Sequence, residues 1–125
     1  MAKLQGISKE SPIPTAEQFL SALQADNVTF EVPEIGEGVR VTVKPLTLED
    51  RAEARFRSKE GDRINEAKFT AITVLKGLVA PKLGEAEIGK LMAAGNVRAL
   101  DKIAAKVWEI SGLGKANEEK DPKNG

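Results

Sequence analysis

The densest group of residues that could do chemistry lies at residues 49–57, where Glu49, Asp50 and Glu53 stand among arginines. Three carboxylates could hold a divalent cation, but the stretch lacks the ligand spacing of a calcium loop. The chain also contains no histidine, so the commonest metal ligand and general base at neutral pH is missing. The i, i+4 spacing of Glu53 and Arg57 instead predicts an ion-paired helix face.

A glycine-rich stretch, GEGVRV at residues 36–41, begins like the phosphate-binding loop of a dinucleotide site. Such a loop needs a third glycine where this chain has Val41, and it must join a strand to a helix. Here the residues on both sides of the loop alternate as strands do. The stretch therefore predicts the turn of a hairpin and no cofactor site.

Two rows of basic side chains have the i, i+4, i+8 spacing that places them along one face of a helix. The first row is Arg51, Arg55 and Lys59, and the second is Arg98, Lys102 and Lys106. Either row could lie on phosphates. The short helix, glycine and longer helix predicted over residues 85–111 also resemble a helix-turn-helix. A small DNA-binding regulator that uses residues 85–111 is therefore the alternative function.

The charge balance argues against that alternative. Lysine plus arginine and aspartate plus glutamate both number 19 among 125 residues, so the chain has no net charge. Nucleic-acid binders normally carry a basic excess, because neutralising phosphates supplies most of their affinity. Acidic residues also interrupt the basic surface of residues 85–111. The sequence thus favours a function without a nucleic-acid partner.

Composition argues against several other classes of protein. The chain has no cysteine, which excludes a disulfide framework and thiolate chemistry, and it has no tyrosine. No stretch approaches the ~20 apolar residues needed to cross a membrane, and the N-terminus has no apolar run of signal-peptide length. We expect a non-enzymatic protein without catalytic residues, cofactor, metal or membrane partner, which stays in a cytoplasm.

The length of the chain predicts one domain with polar ends. Residues 1–14 are predicted to be a flexible arm, since Pro12 and Pro14 enforce extended backbone. Residues 15–113 are predicted to form a single globular domain. Residues 114–125 hold no apolar side chain except Ala116, which predicts a disordered polar tail.

A helix and a hairpin are predicted at the start of the domain. Thr15 and Gln18 have capping-box spacing, and Phe19, Leu20 and Leu23 form the apolar face of the helix they begin. Apolar residues then alternate on both sides of the turn-forming sequence PEIGEG. This pattern predicts an antiparallel two-stranded hairpin, which helices must cover because an isolated hairpin is marginal in water.

The helix after the hairpin is predicted to begin at a capping Thr47. Leu48, Ala52 and Phe56 follow at i, i+4, i+8 and are expected to face inward.

Three further helices are predicted. Asp62 is expected to cap the first, which should be the central and most buried helix and should continue to Pro81. A short helix over residues 85–94 and a longer helix capped by Asn96 and closed at Gly112 complete the chain. The apolar stripe of the longer helix is predicted to consist of Val97, Leu100, Ile103, Ala104, Val107 and Ile110. The predicted fold is α+β and mainly α, with an N-terminal helix, a two-stranded antiparallel hairpin and a bundle of about four short helices.

An apolar stretch around the break at Pro81 has two interpretations. It could cover the end of the core, or it could form an adaptable apolar groove for a partner, as surfaces with methionine often do. Trp108, at the edge of the last apolar stripe, is similarly either a core-edge residue or a partner contact. The candidate partner-binding residues are Leu78, Val79, Leu83, Ile88, Leu91, Met92 and Trp108.

Residues 28–113 resemble the tail assembly chaperones of long-tailed bacteriophages and prophages. The resemblance rests on the segment LTLEDRAEAR and on residues 74–113. In those proteins a strand pair leads into short helices, with a Leu-Val-x-Pro-x-Leu break and a closing helix that ends in Ser-Gly-Leu. This chain has LVAPKL at residues 78–83 and Ser-Gly-Leu at residues 111–113.

This resemblance implies a non-enzymatic protein of the infected host's cytoplasm that binds the tape measure protein. It also implies that the protein keeps that long chain soluble, aids tail tube assembly by recruiting the tail tube protein, and is absent from the finished virion. Self-association is left open, and no catalytic residue is implied.

Overall fold

The computed structural model describes residues 13–112, and within them five helices and five short strands are found. The helices are α1 (Ala16–Ala22), α2 (Leu48–Ser58), α3 (Glu66–Gly77), α4 (Ile88–Ala93, after a 3₁₀ turn at Glu85–Glu87) and α5 (Val97–Ile110). The strands are β1 (Val28–Glu31), β2 (Arg40–Val43), β3 (Lys59–Glu60), β4 (Arg63–Ile64) and β5 (Leu78–Ala80). The fold class is α+β and mainly α, as predicted. The predicted arm (residues 1–14) and tail (residues 114–125) lie outside the described residues, apart from residues 13 and 14.

The first two helices begin at the predicted threonine caps. Thr15 Oγ1 accepts a hydrogen bond from the backbone N–H of Gln18 at 3.1 Å, and Gln18 Oε1 accepts one from the backbone N–H of Thr15 at 3.0 Å. Thr47 and Asp50 make the same reciprocal pair, with both distances at 3.0 Å. Each pair satisfies two backbone donors that the first turn of a helix leaves free.

The predicted hairpin is present, and a third strand extends it. β1 and β2 pair antiparallel, with Val28 opposite Val43 and Phe30 opposite Val41. This register places alternate apolar side chains on the face of the sheet that the helices cover. β5 pairs antiparallel with the other edge of β2, so the strand order is β1-β2-β5 and the sheet has one strand more than predicted.

α3 is shorter than predicted, because the last residues of its apolar run form β5. The helix ends at Gly77, whose carbonyl oxygen accepts a hydrogen bond from the backbone N–H of Lys44 at 2.8 Å. The prediction that α3 continues to Pro81 is therefore wrong. Periodicity could not separate the two elements, since apolar side chains continue through both. The one local signal was Ala80, because the residue before a proline avoids helical backbone.

A two-stranded ribbon that was not predicted joins α2 to α3. β3 and β4 pair antiparallel on either side of Gly61, whose φ of +70° suits glycine. The prediction that Asp62 caps α3 is wrong, because Asp62 lies in the turn of this ribbon. The cap is Asn65, whose Oδ1 accepts a hydrogen bond from the backbone N–H of Lys68 at 3.1 Å.

α3 and α5 cover the sheet and form the core with it. Large buried side chains of the sheet, its flanking turn and these two helices include Val32, Val41, Val43, Leu78, Ile72, Val74, Leu75, Ile103 and Val107. α3 is the most buried helix, as predicted, because α2, α4 and α5 all pack on it. α5 approaches α3 so closely that a Cβ atom at Gly77 would lie 2.6 Å from Cγ2 of Val107.

α2 faces the core with a different side from the one predicted. Leu48 and Phe56 are 80% and 76% exposed, and Ala52 is exposed as well. The buried residues are Ala54 and Ser58, whose small side chains suit close packing on α3. Ser58 Oγ donates a hydrogen bond to the carbonyl oxygen of Ala54 at 2.7 Å, so the buried hydroxyl has a partner. The expectation that Leu48, Ala52 and Phe56 face inward is wrong.

α1 has the predicted apolar face but leaves it in solvent. Phe19, Leu20 and Leu23 are each more than half exposed, and no residue of α1 is buried. The two half-buried residues of the helix are Gln18 and Ala22. The side of α1 that faces the domain therefore carries polar and small side chains, while its large apolar side chains are exposed to solvent.

Candidate functional site

The first two residues of the predicted partner-binding set belong to the sheet. Leu78 begins β5 opposite Val43 and is buried in the core cluster. Val79 is half-buried in the same strand. Leu78 therefore has little surface left for a partner, and its role here is that of a core residue.

The next four residues of the set lie on or beside α4. Leu83, Ile88 and Leu91 are half-buried, and the side chains of Leu83 and Leu91 pack against the core. Met92 is the most exposed of the set at 39%. A partner could reach Met92 directly and Leu91 from its open side.

Trp108 lies at the edge of the core, next to the third helix. Its ring is stacked on that of Phe69, with 5.8 Å between the ring centroids and 7° between the ring planes. The side chain is half-buried. This stacking accounts for the tryptophan by packing inside the chain, as the core-edge interpretation expects.

An apolar hollow of about 240 Å³ lies between α3, α4 and α5, and it contains the exposed part of the predicted set. Its apolar and small lining residues are Ala67, Ala71, Leu91, Met92, Ala94, Val97 and Leu100. Val97 is 56% exposed, although the sequence pattern placed it on the buried stripe of α5. It is the first residue of α5, directly after the Asn96 cap. That terminal position was the only sequence signal for its exposure.

The rim of this apolar hollow is acidic. Glu66, at the start of α3, and Asp101, in the second turn of α5, both line it. Neither forms an ion pair with another residue of the described range. The hollow thus combines an apolar floor with two free carboxylates, which suits an apolar side chain flanked by basic residues.

A larger cleft of about 660 Å³ lies where the end of α1 meets the start of α2 and the end of α5. Its apolar lining comes from Leu23, Leu46, Leu48 and Ile110. The backbone N–H of Leu46 donates a hydrogen bond to Ser111 Oγ at 2.8 Å, which fixes this side of the cleft. The cleft and the apolar hollow have no lining residue in common.

Two of the three carboxylates of α2, Asp50 and Glu53, take part in an ion-paired network, and one pair in it, Glu53–Arg57, is the one that the spacing predicted. Glu53 and Arg57 are 3.5 Å apart, and Arg57 also makes two hydrogen bonds to Glu85, of 2.7 and 3.1 Å. Lys76 of α3 lies 2.8 Å from Glu53 and 3.5 Å from Asp50. The network joins α2 to α3 and to the turn before α4. Within residues 13–112, no group of three or more acidic side chains is placed to hold a metal ion.

This network shifts the pKa values of its members toward their charged forms. The hydrogen bond from Lys76 lowers the pKa of Glu53, and the hydrogen bonds from Arg57 lower the pKa of Glu85. Burial raises the pKa of Asp50, but the hydrogen bonds from Thr47 and the charge of Lys76 outweigh burial and leave it below its usual value. The network is therefore a structural one that favours charged side chains, with no group held neutral near pH 7 for proton transfer.

The two predicted basic rows are only partly free. Lys102 lies 3.3 Å from Glu34. Lys106 lies 3.3 Å from Glu109, and its ammonium nitrogen is 5.4 Å from the ring centroid of Phe30. α4 packs mainly on α3 and much less on α5, whereas the two helices of a helix-turn-helix pack on each other. The first row lies on α2 and its end, where Arg55 and Lys59 are exposed.

The glycine-rich stretch forms the hairpin turn that its context predicted. Gly38 has a φ of +77°, and the backbone N–H of Val39 donates to the carbonyl oxygen of Gly36 at 3.0 Å.

Comparisons of the chain with protein-family models, with curated proteins and with solved structures found no match. Among the helices of residues 13–112, none is long and apolar enough to cross a membrane.

Proposed function

We propose that this protein is a non-enzymatic tail assembly chaperone of a long-tailed phage or prophage. In this proposal it binds the tape measure protein in the host cytoplasm, keeps that chain soluble, and helps to recruit the tail tube protein. It is not part of the finished virion. The resemblance of residues 28–113 to that family motivates the proposal, and the observation that carries it is the apolar hollow between α3, α4 and α5.

The apolar hollow suits a partner helix that presents one apolar side chain at a time. Met92 and Val97 stand exposed at its mouth, over the half-buried Leu91 and Leu100. Covering them with an apolar side chain removes apolar surface from water, which is the usual gain when an amphipathic helix enters a groove. Methionine is flexible enough to fit different side chains, as binding along a long repetitive helix requires.

The acidic rim indicates the charge of the partner. Glu66 and Asp101 face an occupant of the hollow without an ion pair of their own in the described part of the chain. A tape measure helix with lysine or arginine next to its apolar anchor would supply the opposite charge. The small size of the apolar hollow favours a weak and reversible contact, in keeping with a chaperone that leaves before the virion is complete.

The experiment is co-expression with the tape measure protein encoded beside this gene. We expect the protein to raise the soluble fraction of the tape measure and to co-purify with it. The variants Met92→Glu and Val97→Glu place a charge on an apolar docking surface, which is costly to desolvate, so we expect about tenfold less tape measure in the purified fraction. Both side chains are exposed, so circular dichroism should show that the variants remain folded.

Ile35→Glu is the matched control, since Ile35 is 49% exposed and lies outside the hollow. It should behave as the unchanged protein does. If all three variants recover the same amount of tape measure protein, the apolar hollow is not the surface that binds it. No binding by the unchanged protein would overturn the chaperone function itself, and retention on DNA that falls as salt rises would favour the DNA-binding alternative.

A further inference from the structure

α2 carries an apolar stripe that no other residue of the described range, 13–112, covers. The stripe consists of Leu48, Ala52 and Phe56, which are all exposed, and it runs about 12 Å along the helix. Single exposed apolar residues are ordinary, but large ones in a row along one helix face usually mark a contact surface. The stripe is therefore a candidate contact surface.

α1 offers a face of the matching kind and length. Its seven residues span about 10 Å, and Phe19, Leu20 and Leu23 form one side of it in solvent. Leu23 and Leu48 line the same cleft, so the end of α1 lies beside the start of the stripe. In the single chain, however, α1 leaves the stripe open.

The charges beside the two apolar surfaces are opposite in sign. Arg51 and Arg55 border the stripe of α2, whereas α1 carries Glu17 next to its apolar face. None of these three residues forms an ion pair within residues 13–112. Glu49, on the other edge of the stripe, is the one acidic residue there without an ion pair. Placing α1 along the basic edge would bring Glu17 to the two arginines, which fixes the side on which it docks.

We propose that this chain pairs with a second copy of itself, with the apolar face of α1 of each copy packed on the α2 stripe of the other. A reciprocal exchange of this kind is closed and two-fold symmetric. It removes Phe19, Leu20, Leu23, Leu48 and Phe56 of both copies from water. Ten large apolar side chains amount to a buried area on the order of 1,000 Å², at the lower end of specific interfaces.

The link between α1 and β1 permits the exchange. Residues 24–27 are all exposed, and four extended residues can span about 13 Å. No residue of α1 is buried, and its two half-buried residues, Gln18 and Ala22, are polar or small, so releasing it exposes little apolar surface. The pair would leave the apolar hollow open on both copies, because the two surfaces have no residue in common. The inference is thus independent of the proposed function.

The test is the molar mass of the isolated full-length protein in solution, measured by sedimentation over a range of concentrations. We expect a dimer that dissociates on dilution. Phe56→Glu and Phe19→Glu should each raise the dimer dissociation constant by about tenfold or more, since a buried aromatic is a usual anchor of an interface. Met92→Glu, in the apolar hollow, should leave the dimer unchanged and serves as the control.

A charge exchange tests the pairing of the two surfaces. Glu17→Arg alone should weaken the dimer, and adding Arg55→Glu should restore it, because the opposite charges then face each other again. A protein that is monomeric at every concentration would overturn the proposal. This holds also for a monomer in which α1 packs on the stripe of its own chain. A dimer that survives both aromatic substitutions would also overturn it. Neither result bears on tape measure binding, which the co-expression experiment tests.

Discussion

At the scale of single residues, Lys76 is the least exposed member of the ion-paired network that joins α2 to α3. Its ammonium group lies between Glu53 and Asp50, and its side chain is only 16% exposed. Burial lowers the pKa of Lys76, but the hydrogen bond to Glu53 and the charge of Asp50 outweigh burial and raise it. The lysine thus stays charged while it connects α3 to α2.

This arrangement predicts that acid weakens the fold. Asp50, Glu53 and Glu85 have lowered pKa values in the folded chain, so their contribution to stability is present above the unfolded values of about 4 and is lost as the pH falls through the folded ones. We expect the urea concentration at the unfolding midpoint to decrease as the pH is lowered from 6 to 3.

Lys76→Gln should lower the urea midpoint at pH 7. On acidification, the midpoint of this variant should decrease by less than the midpoint of the unchanged protein does. Lys90→Gln is the control, because Lys90 is exposed and has no ion pair among the described residues. The same pH dependence in all three proteins would show that Lys76 and its partners do not contribute to the acid sensitivity.

At the scale of elements, Gly77 sets the distance between α3 and α5. Gly77→Ala would place a Cβ atom 2.6 Å from Cγ2 and 2.8 Å from Cγ1 of Val107. Val107 is fully buried and cannot move away easily. We expect this substitution to lower the free energy of unfolding by about 1–3 kcal/mol, the usual cost of overpacking.

Gly89→Ala is the matched control for this prediction. Gly89 lies in α4 with no atom of the described structure within 4 Å of an added Cβ, so alanine should leave stability unchanged or raise it by up to about 1 kcal/mol. Urea denaturation measures both changes. A neutral result at Gly77 would mean that α3 and α5 can separate without loss of packing.

The elements also show which parts of the fold the sequence could predict. The caps at Thr15, Thr47 and Asn96 were predictable because their hydrogen bonds join residues three apart. The side that α2 buries was not, because a periodic pattern shows where apolar residues lie on a helix and not whether the chain covers them. Burial of Ala54 and Ser58 depends on how α3, a separate helix, packs against α2, and the pattern within α2 does not show this.

The candidate site was predictable to a similar degree. Leu91 and Met92 were chosen because they belong to the apolar stretch around the break at Pro81, and both line the apolar hollow. Their contact with a partner stays a prediction. Val97 was not among the candidate residues because its spacing fits the apolar stripe of α5, and only the folded chain shows that the start of this stripe is left exposed. Leu78 was assigned to a helix break, whereas pairing with β2 makes it a strand residue.

At the scale of the whole molecule, α5 completes the core. Ile103 and Val107 pack in the core cluster formed with the sheet and α3, and Ser111 Oγ accepts the hydrogen bond from Leu46.

We predict that a chain ending at residue 114 melts within a few degrees of the full-length protein, since residues 115–125 hold almost no apolar side chain. A chain ending at residue 104, which lacks Val107, should show no cooperative melting transition.

Circular dichroism during heating compares the two truncations. A large loss of melting temperature in the chain ending at residue 114 would mean that the polar tail docks on the domain. A cooperative transition in the chain ending at residue 104 would mean that the second half of α5 is not needed for the core.

The late position of α5 in the chain has a consequence for synthesis on the ribosome. Ribosomes add about 5–20 residues per second, so β2 leaves the ribosome several seconds before α5 exists to cover it. During that interval Val41 and Val43 have no helix α5 to exclude water from them, and the strand β5 that will pair with β2 is also still to come. The nascent chain is therefore most prone to aggregate before its last helix emerges, and a stalled ribosome upstream of residue 97 would hold it in that state.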